Sequence, residues 1–243
     1  MLANRIVCYK MNPRRRSRKQ RLLDFCTFPI RALLLFHDDR FGLSSLRTER
    51  FDYVAREVTG YCLDIGCGRG NRFVTEFLSG HGLGIDVFPY EGLTPENLVS
   101  DLSQLPFGDE SFETVTFIAC LNHCPRSQRD SELREAFRVL KPGGRIIITM
   151  GNWLAEVLVH QLVRLYDKFL GTTLDVDGQR GMHEEEDYFL TDTEIRDRLR
   201  VAGFVNIRKK YFATQWALNH MFIAQKPVGF TSCPGRTNAG ALG

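Results

Sequence analysis

Three acids and a histidine stand where a folded chain could do chemistry with them: Asp64 at the head of a glycine loop, Asp86 and Asp101 farther along, and His123 after an apolar run. The loop reads Asp64-Ile65-Gly66-Cys67-Gly68-Arg69-Gly70 and follows an apolar stretch over 61–65. Glycine tolerates positive φ and lets backbone come close to a ligand, so Gly66, Gly68 and Gly70 describe a cradle. A helix expected over 71–78 would aim free amide groups at whatever the cradle holds. The dinucleotide fingerprint needs a third glycine three residues beyond the second. Here that residue is Asn71, which argues against a nicotinamide or flavin site.

These residues need a scaffold, and the chain alternates strand and helix patterns. Apolar runs over 61–65, 82–87, 114–120 and 145–149 read as strands buried on both faces of a parallel sheet. Residues 131–139 place Leu133, Ala136, Phe137 and the following Leu140 on one helical face, and 192–202 repeat the pattern with Ile195, Leu199 and Ala202. Two more strands are expected near 203–207 and 218–224.

Asp-x-Gly-x-Gly-x-Gly after a strand resembles motif I of class I S-adenosylmethionine-dependent methyltransferases, in which the acid supports the loop and the cofactor's amino-acid end. Asp86 closes the second strand, where a carboxylate can accept from both ribose hydroxyls. The segment 97–102, followed by Leu105-Pro106-Phe107 and Ser111-Phe112-Glu113, resembles the family's adenine-binding turn. The resemblance gives Asp101 the adenine amino group and Leu102 the ring. Leu140-Lys141-Pro142-Gly143-Gly144 matches the family's turn before its fifth strand. The implied cofactor is S-adenosyl-L-methionine, contacted by Asp64, Gly66, Cys67, Gly68, Gly70, Asp86, Val87, Asp101, Leu102 and Ala119.

The resemblance covers about 46–226 and is nearest to small-molecule enzymes of the ubiquinone/menaquinone C-methyltransferase-like group. It implies an α/β, Rossmann-like, seven-stranded and mostly parallel sheet with an antiparallel last strand, helices on both faces and an inserted helical lid. The lid is the segment 151–190, longer than a direct connection needs and apolar over 153–170. It is expected to roof the acceptor pocket. Glu113 replaces the family's usual aspartate, and the basic N-terminal extension has no counterpart there.

Composition agrees with one principal domain: 243 residues, 43% hydrophobic and 25% charged. The formal net charge of +3 owes much to Arg14, Arg15, Arg16, Arg18, Lys19 and Arg21. The remainder is slightly acidic, unlike a nucleic-acid-binding face, so nucleic acid is not the expected partner. Seven cysteines, several in strands expected to be buried, imply free thiols and a reducing, cytoplasmic setting. No metal site is declared.

Residues 1–45 are read as a basic extension and a lid helix, and 227–243 as a disordered tail. The stretch 22–36 is rich in Leu and Phe but broken by Asp24, Pro29 and Arg31, short of the ~20 apolar residues of a spanning helix. Two readings stay open for it. The preferred one is a solvated basic tail followed by a helix that packs on the core; the other is a peripheral membrane contact, with arginines on anionic headgroups and Leu and Phe in the interface.

A sulfonium donor leaves the protein mainly to align a small-molecule or lipid-like acceptor in line and to exclude water. His123, just past the carboxyl end of the strand over 114–120, is the candidate base; the competing reading has it satisfying backbone groups at the strand end. His183 and Tyr188 are weaker candidates. An RNA methyltransferase would favour an Asn-Pro-Pro-aromatic motif, where this chain has Asn122-His123-Cys124-Pro125, and a noncatalytic binding protein would not need all three acids.

Overall fold

The computed structural model describes residues 14–34, 38–151, 168 and 190–229. Two helices come first, α1 (Arg18–Leu33) and α2 (Leu46–Ala55), then strands β1 (Cys62–Ile65), β2 (Gly82–Ile85) and β3 (Phe112–Ile118). Helix α3 (Arg129–Val139) leads into β4 (Leu140–Gly151), and α4 (Asp192–Val201) into β5 (Val205–Tyr211) and β6 (Asn219–Gln225). Serine and threonine caps start three of the helices: Ser17, Ser45 and Thr191 each accept from the amide three residues on.

The strands form one sheet in the order β2-β1-β3-β4-β6-β5. β1 pairs in parallel with β2 and β3, and β3 with β4, whereas β6 runs antiparallel to both β4 and β5. All four residues of β1 are buried, as an interior parallel strand requires. Leu133, Ala136, Ile195 and Leu199 of α3 and α4 pack in one apolar cluster, and Phe51, Tyr53 and Val54 of α2 join Phe73, Phe77 and Phe212 in another.

Six strands are described where seven are expected. Beyond β2 the seventh is reduced to a single parallel bridge between Asp86 and Leu98. Pro95 opens a 3₁₀ turn, and the Asn97 side chain accepts from the Thr94 amide and hydroxyl at 3.0 Å, so turn chemistry holds the chain where a strand would begin. The expected helix over 71–78 is also different: a 3₁₀ turn, Arg69–Asn71, and a π-helical turn, Phe73–Phe77. Left-handed Gly70 and Asn71 interrupt the helical ladder. Ligand-side donors therefore belong to the glycine loop, with no long helix behind it. The segment 152–167 and 169–189, with His183 and Tyr188, lies outside the described residues, as does 230–243.

Helix α1 reverses the usual polarity of a packed helix. Its buried residues are Asp24, Phe28 and Arg31, while Leu22, Leu23, Phe25, Ile30 and Leu33 are exposed. The inward charges are paired. Arg16, just before the helix, donates to Asp24 Oδ2 at 2.6 Å and Glu49 Oε1 at 2.9 Å, and Arg31 donates to the same Glu49 oxygen at 3.1 Å. Part of the basic extension is thus a structural clamp: Arg16 is buried, and Arg14 pairs with Asp39 and Glu76. Pro29 inside α1 supplies no amide for the Phe25 carbonyl. Trp216 Nε1 takes that place, donating to Phe25 O at 3.0 Å, with its ring against Phe25 and Phe28.

Candidate functional site

A cavity of about 570 Å³ opens at the carboxyl ends of β1 and β3, where ligands of open α/β sheets gather. Asp64, Gly66, Cys67, Gly68, Ile118 and Ala119 form its floor; Asp38, Arg47, Arg50 and Phe51 form a second wall, and Arg69, Arg72 and Tyr90 complete it. That volume suits a cofactor-sized ligand. No residue of α1 lines the cavity; the adjoining wall comes from Asp38 and α2.

The loop is clamped to the end of β2. The amides of Gly66 and Cys67 both donate to Ile85 O, at 2.8 and 3.0 Å. Gly68 N donates to Asp86 Oδ2 at 2.9 Å, and Phe88 N donates to Asp86 Oδ1 at 3.0 Å. Each oxygen of this buried carboxylate holds one backbone donor and keeps capacity for another. The group is therefore fixed in orientation yet able to accept from two ligand hydroxyls.

Two glycines matter in different ways. Gly68, at φ +64°, has no atom within 4 Å of where a Cβ would stand, so its backbone faces open space. Gly66, at φ +73°, would bring a Cβ to 2.2 Å from Cys120 Sγ. Gly66→Ala is expected to lower stability by about 2 kcal/mol, left-handed strain adding to the clash. Urea denaturation measures it, and an unchanged midpoint would contradict the packing at Cys120.

Asp64 is buried and accepts from Thr116 Oγ1 at 2.6 Å. Burial, offset by that hydrogen bond and reinforced by nearby Asp86, pushes its carboxyl from 3.8 up to about 7. Folding thus favours the protonated acid. Its contribution is fully present below pH 3.8 and is lost as pH rises through about 7. Asp64→Asn, which cannot ionise, is expected to show a flatter stability profile between these limits, measured by urea denaturation across pH. A profile as steep as the parent's would remove Asp64 as the source.

Four arginines also line the cavity. Arg47 and Arg50 sit three apart on α2 and so share a face, while Arg69 opens the 3₁₀ turn of the loop and Arg72 follows it. Arg72 is held by Glu76 at 2.7 Å and Asp38 at 2.7 Å. Burial, then the neighbouring Arg72 charge, lowers the pKa of Arg47, as expected where cations crowd. Asp64 together with these guanidiniums suits a ligand carrying both charges.

Not every expected residue reaches this cavity. Gly70, Asp86, Val87, Asp101, Leu102 and His123 do not line it. Asp86 is tied to it through Gly68, whereas Val87 is exposed. Asp101 accepts from Ser103 Oγ and Ser103 N, both at 2.7 Å, and these bonds draw its carboxyl below the usual carboxylate range. Leu102 is buried. Ala119 adopts φ +51° and donates its amide to Thr149 Oγ1 at 2.9 Å, which turns the chain sharply at the cavity floor. His123 ends a 3₁₀ turn, Leu121–His123, with Nε2 3.3 Å from Asn122 Nδ2.

Sequence reasoning missed Arg47, Arg50, Arg69, Arg72 and Tyr90, and also Arg129. Fully buried Arg129 donates to the carbonyls of Asn122 at 3.0 Å and Cys124 at 2.9 Å, fixing the turn that carries His123. The spacing of Arg47 and Arg50 was the available signal for the cationic wall. Nothing local signals Arg129, whose partners precede its helix. Among the described residues, no three His, Cys, Asp or Glu side chains form a metal-binding group.

Comparison with known proteins bears on this arrangement. Residues 63–148 match the family described as a methyltransferase domain. The ubiquinone/menaquinone biosynthesis C-methyltransferase of Desulfotalea psychrophila is 32% identical over 120 residues, 47% of this chain and 48% of that protein. The demethylmenaquinone methyltransferase of Staphylococcus aureus (strain JH9) is 29% identical over 135 residues, 52% of this chain and 54% of that protein. The chain spans about half the length of the curated relatives it matches. A SAM-dependent methyltransferase from Thermotoga maritima shares the fold at a TM-score of 0.52 and 18% identity, over 85% of this chain and 98% of that one. One from Methanosarcina mazei does so at 0.50 and 23% identity, over 73% and 98%.

Residues 63–148 thus match a methyltransferase domain, and the fold is shared with the Thermotoga maritima protein, which makes S-adenosylmethionine the ligand to set against the site. The site fits that cofactor on its own chemistry: an anchored acid for vicinal hydroxyls, open backbone at Gly68, and acid and guanidinium groups for an amino acid.

Proposed function

We propose that this chain transfers a methyl group in line from S-adenosylmethionine to a small-molecule acceptor of lipid-like character. The observation that carries the reading is Asp86, whose two oxygens are each tied to a loop amide at the end of β2. In this reading Asp86 holds the ribose hydroxyls, Asp101 and the Leu102 backbone meet the adenine, and Asp64 lies toward the methionine ammonium. Arg47 and Arg50 take the carboxylate. The cofactor, when bound, supplies a methyl already activated on sulfur.

The protein's part is then mostly placement. Phe51, Ile118 and Ala119 line the cavity with apolar surface, which limits water near the reacting centre. Relatives named for quinone biosynthesis favour an apolar acceptor. His123, outside the cavity lining but four residues past Ala119 of its floor, is assigned the acceptor's proton in this reading, with Arg129 holding its turn in position. His123→Ala is expected to lower turnover by about 10²-fold with cofactor affinity unchanged; near-normal turnover would leave it a structural residue.

Calorimetric titration with S-adenosylmethionine tests the whole reading, and absence of binding overturns it. A labelled-methyl screen of lipid and aqueous extracts then separates acceptor classes; label confined to RNA or protein would refute a small-molecule acceptor.

A further inference from the structure

We infer that the outer face of α1 docks in the plane of an anionic lipid surface. The face is built, not incidental. Leu22, Leu23, Phe25, Ile30, Leu33 and Leu34 range in exposure from 43% for Leu23 to 66% for Leu22, a fraction unusual for so many neighbouring apolar side chains. They are turned outward because the opposite face of the helix is tied down by charge. Asp24 and Arg31 point inward and are fully buried, bound to Arg16, Glu49 and the Ser44 carbonyl. Trp216, half-exposed and bonded to the Phe25 carbonyl, extends the patch with an amphipathic ring of the kind that sits at headgroup depth.

Charge chooses the occupant. The sequence of α1 holds one acid, Asp24, and that acid is buried in the clamp. Exposed Arg15, Arg18 and Lys19 stand at the amino end, and Arg18 continues the stripe of Leu22, Ile30 and Leu34 at helical spacing. An apolar face with cations at its end and no exposed acid on the helix complements an anionic bilayer surface. Among the described residues no helix is long and apolar enough to cross a membrane, so the helix lies on the surface.

The inference does not rest on methyl transfer and is tested without cofactor. Full-length protein and the double variant Leu22→Asp/Ile30→Asp are sedimented with vesicles of phosphatidylcholine alone and of phosphatidylcholine with phosphatidylglycerol. The parent is expected to bind the anionic vesicles, and the variant to partition about tenfold less while keeping its circular dichroism. An Arg18→Gln/Lys19→Gln variant is expected to lose most of the preference for phosphatidylglycerol. Equal sedimentation of parent and Leu22→Asp/Ile30→Asp overturns the proposal. So does a parent that is dimeric without lipid and made monomeric by the substitutions, which would assign the face to a second copy. A variant destabilised to urea, with no vesicle binding by the parent, would assign it to another segment of this chain.

Discussion

Replacing Asp86 by alanine is expected to weaken S-adenosylmethionine binding by about 10³-fold, since two charge-assisted hydrogen bonds of about 2 kcal/mol each are lost together. Titration calorimetry reads this directly. The same substitution frees the Gly68 and Phe88 amides, which donate to Oδ2 and Oδ1 at 2.9 and 3.0 Å. Gly68 lines the cavity and Phe88 is exposed, so water can replace the carboxylate at both and the fold is expected to persist by circular dichroism. Asp86→Asn separates the two roles: its amide oxygen still accepts from one backbone donor, while the charge is gone. An intermediate affinity for Asp86→Asn fits the ribose assignment. Unchanged affinity in Asp86→Ala would refute it, whatever happened to stability.

How much of this was legible beforehand depends on the range of the interactions. The strands were readable because a buried strand is apolar nearly throughout, as in Cys62–Ile65, where Asp64 alone breaks the run. The alternating glycines were readable because the backbone conformation they serve is local: Gly66, Gly68 and Gly70 all have positive φ. Helix α1 was not. A run rich in Leu and Phe reads as inward-facing, and the chain turns those residues out because Asp24 is held by Arg16, which with Arg31 finds Glu49 and, alone, Asp52 on another helix. That pairing spans separations that no helical period reports. The cationic cavity lining was hidden likewise, Arg47 lying well before the loop with which it shares the cavity. The adenine-side residues rest on motif resemblance; in the structure Asp101 bonds within its own turn.

The clamp that sets α1 is itself the second large effect. Glu49→Ala is expected to cost about 3–5 kcal/mol, because it strips the shared partner from two buried guanidiniums. Glu49 is fully buried; Oε1 accepts from Arg16 at 2.9 Å and Arg31 at 3.1 Å, and Oε2 accepts from Gln215 Nε2 at 2.8 Å. Asp24 and Asp52 still face Arg16 after the change, but Arg31 keeps only its bonds to Thr27 and to the Ser44 and Asp24 carbonyls among the described residues. An uncompensated buried charge is the expensive outcome, far more than the loss of the pair's own attraction. A loss of this size is a large share of a typical domain's stability, about 5–15 kcal/mol, so urea denaturation is the measure. Glu49→Gln keeps volume and an acceptor and is expected to cost less. The damage also has a local signature. With α1 released, Trp216 loses the Phe25 carbonyl and the Phe25 and Phe28 rings, so its fluorescence is expected to shift red before the sheet unfolds. A Glu49→Ala protein as stable as the parent, with unshifted emission, would mean that the ion cluster does not hold the helix, and that the outward apolar face has some other cause.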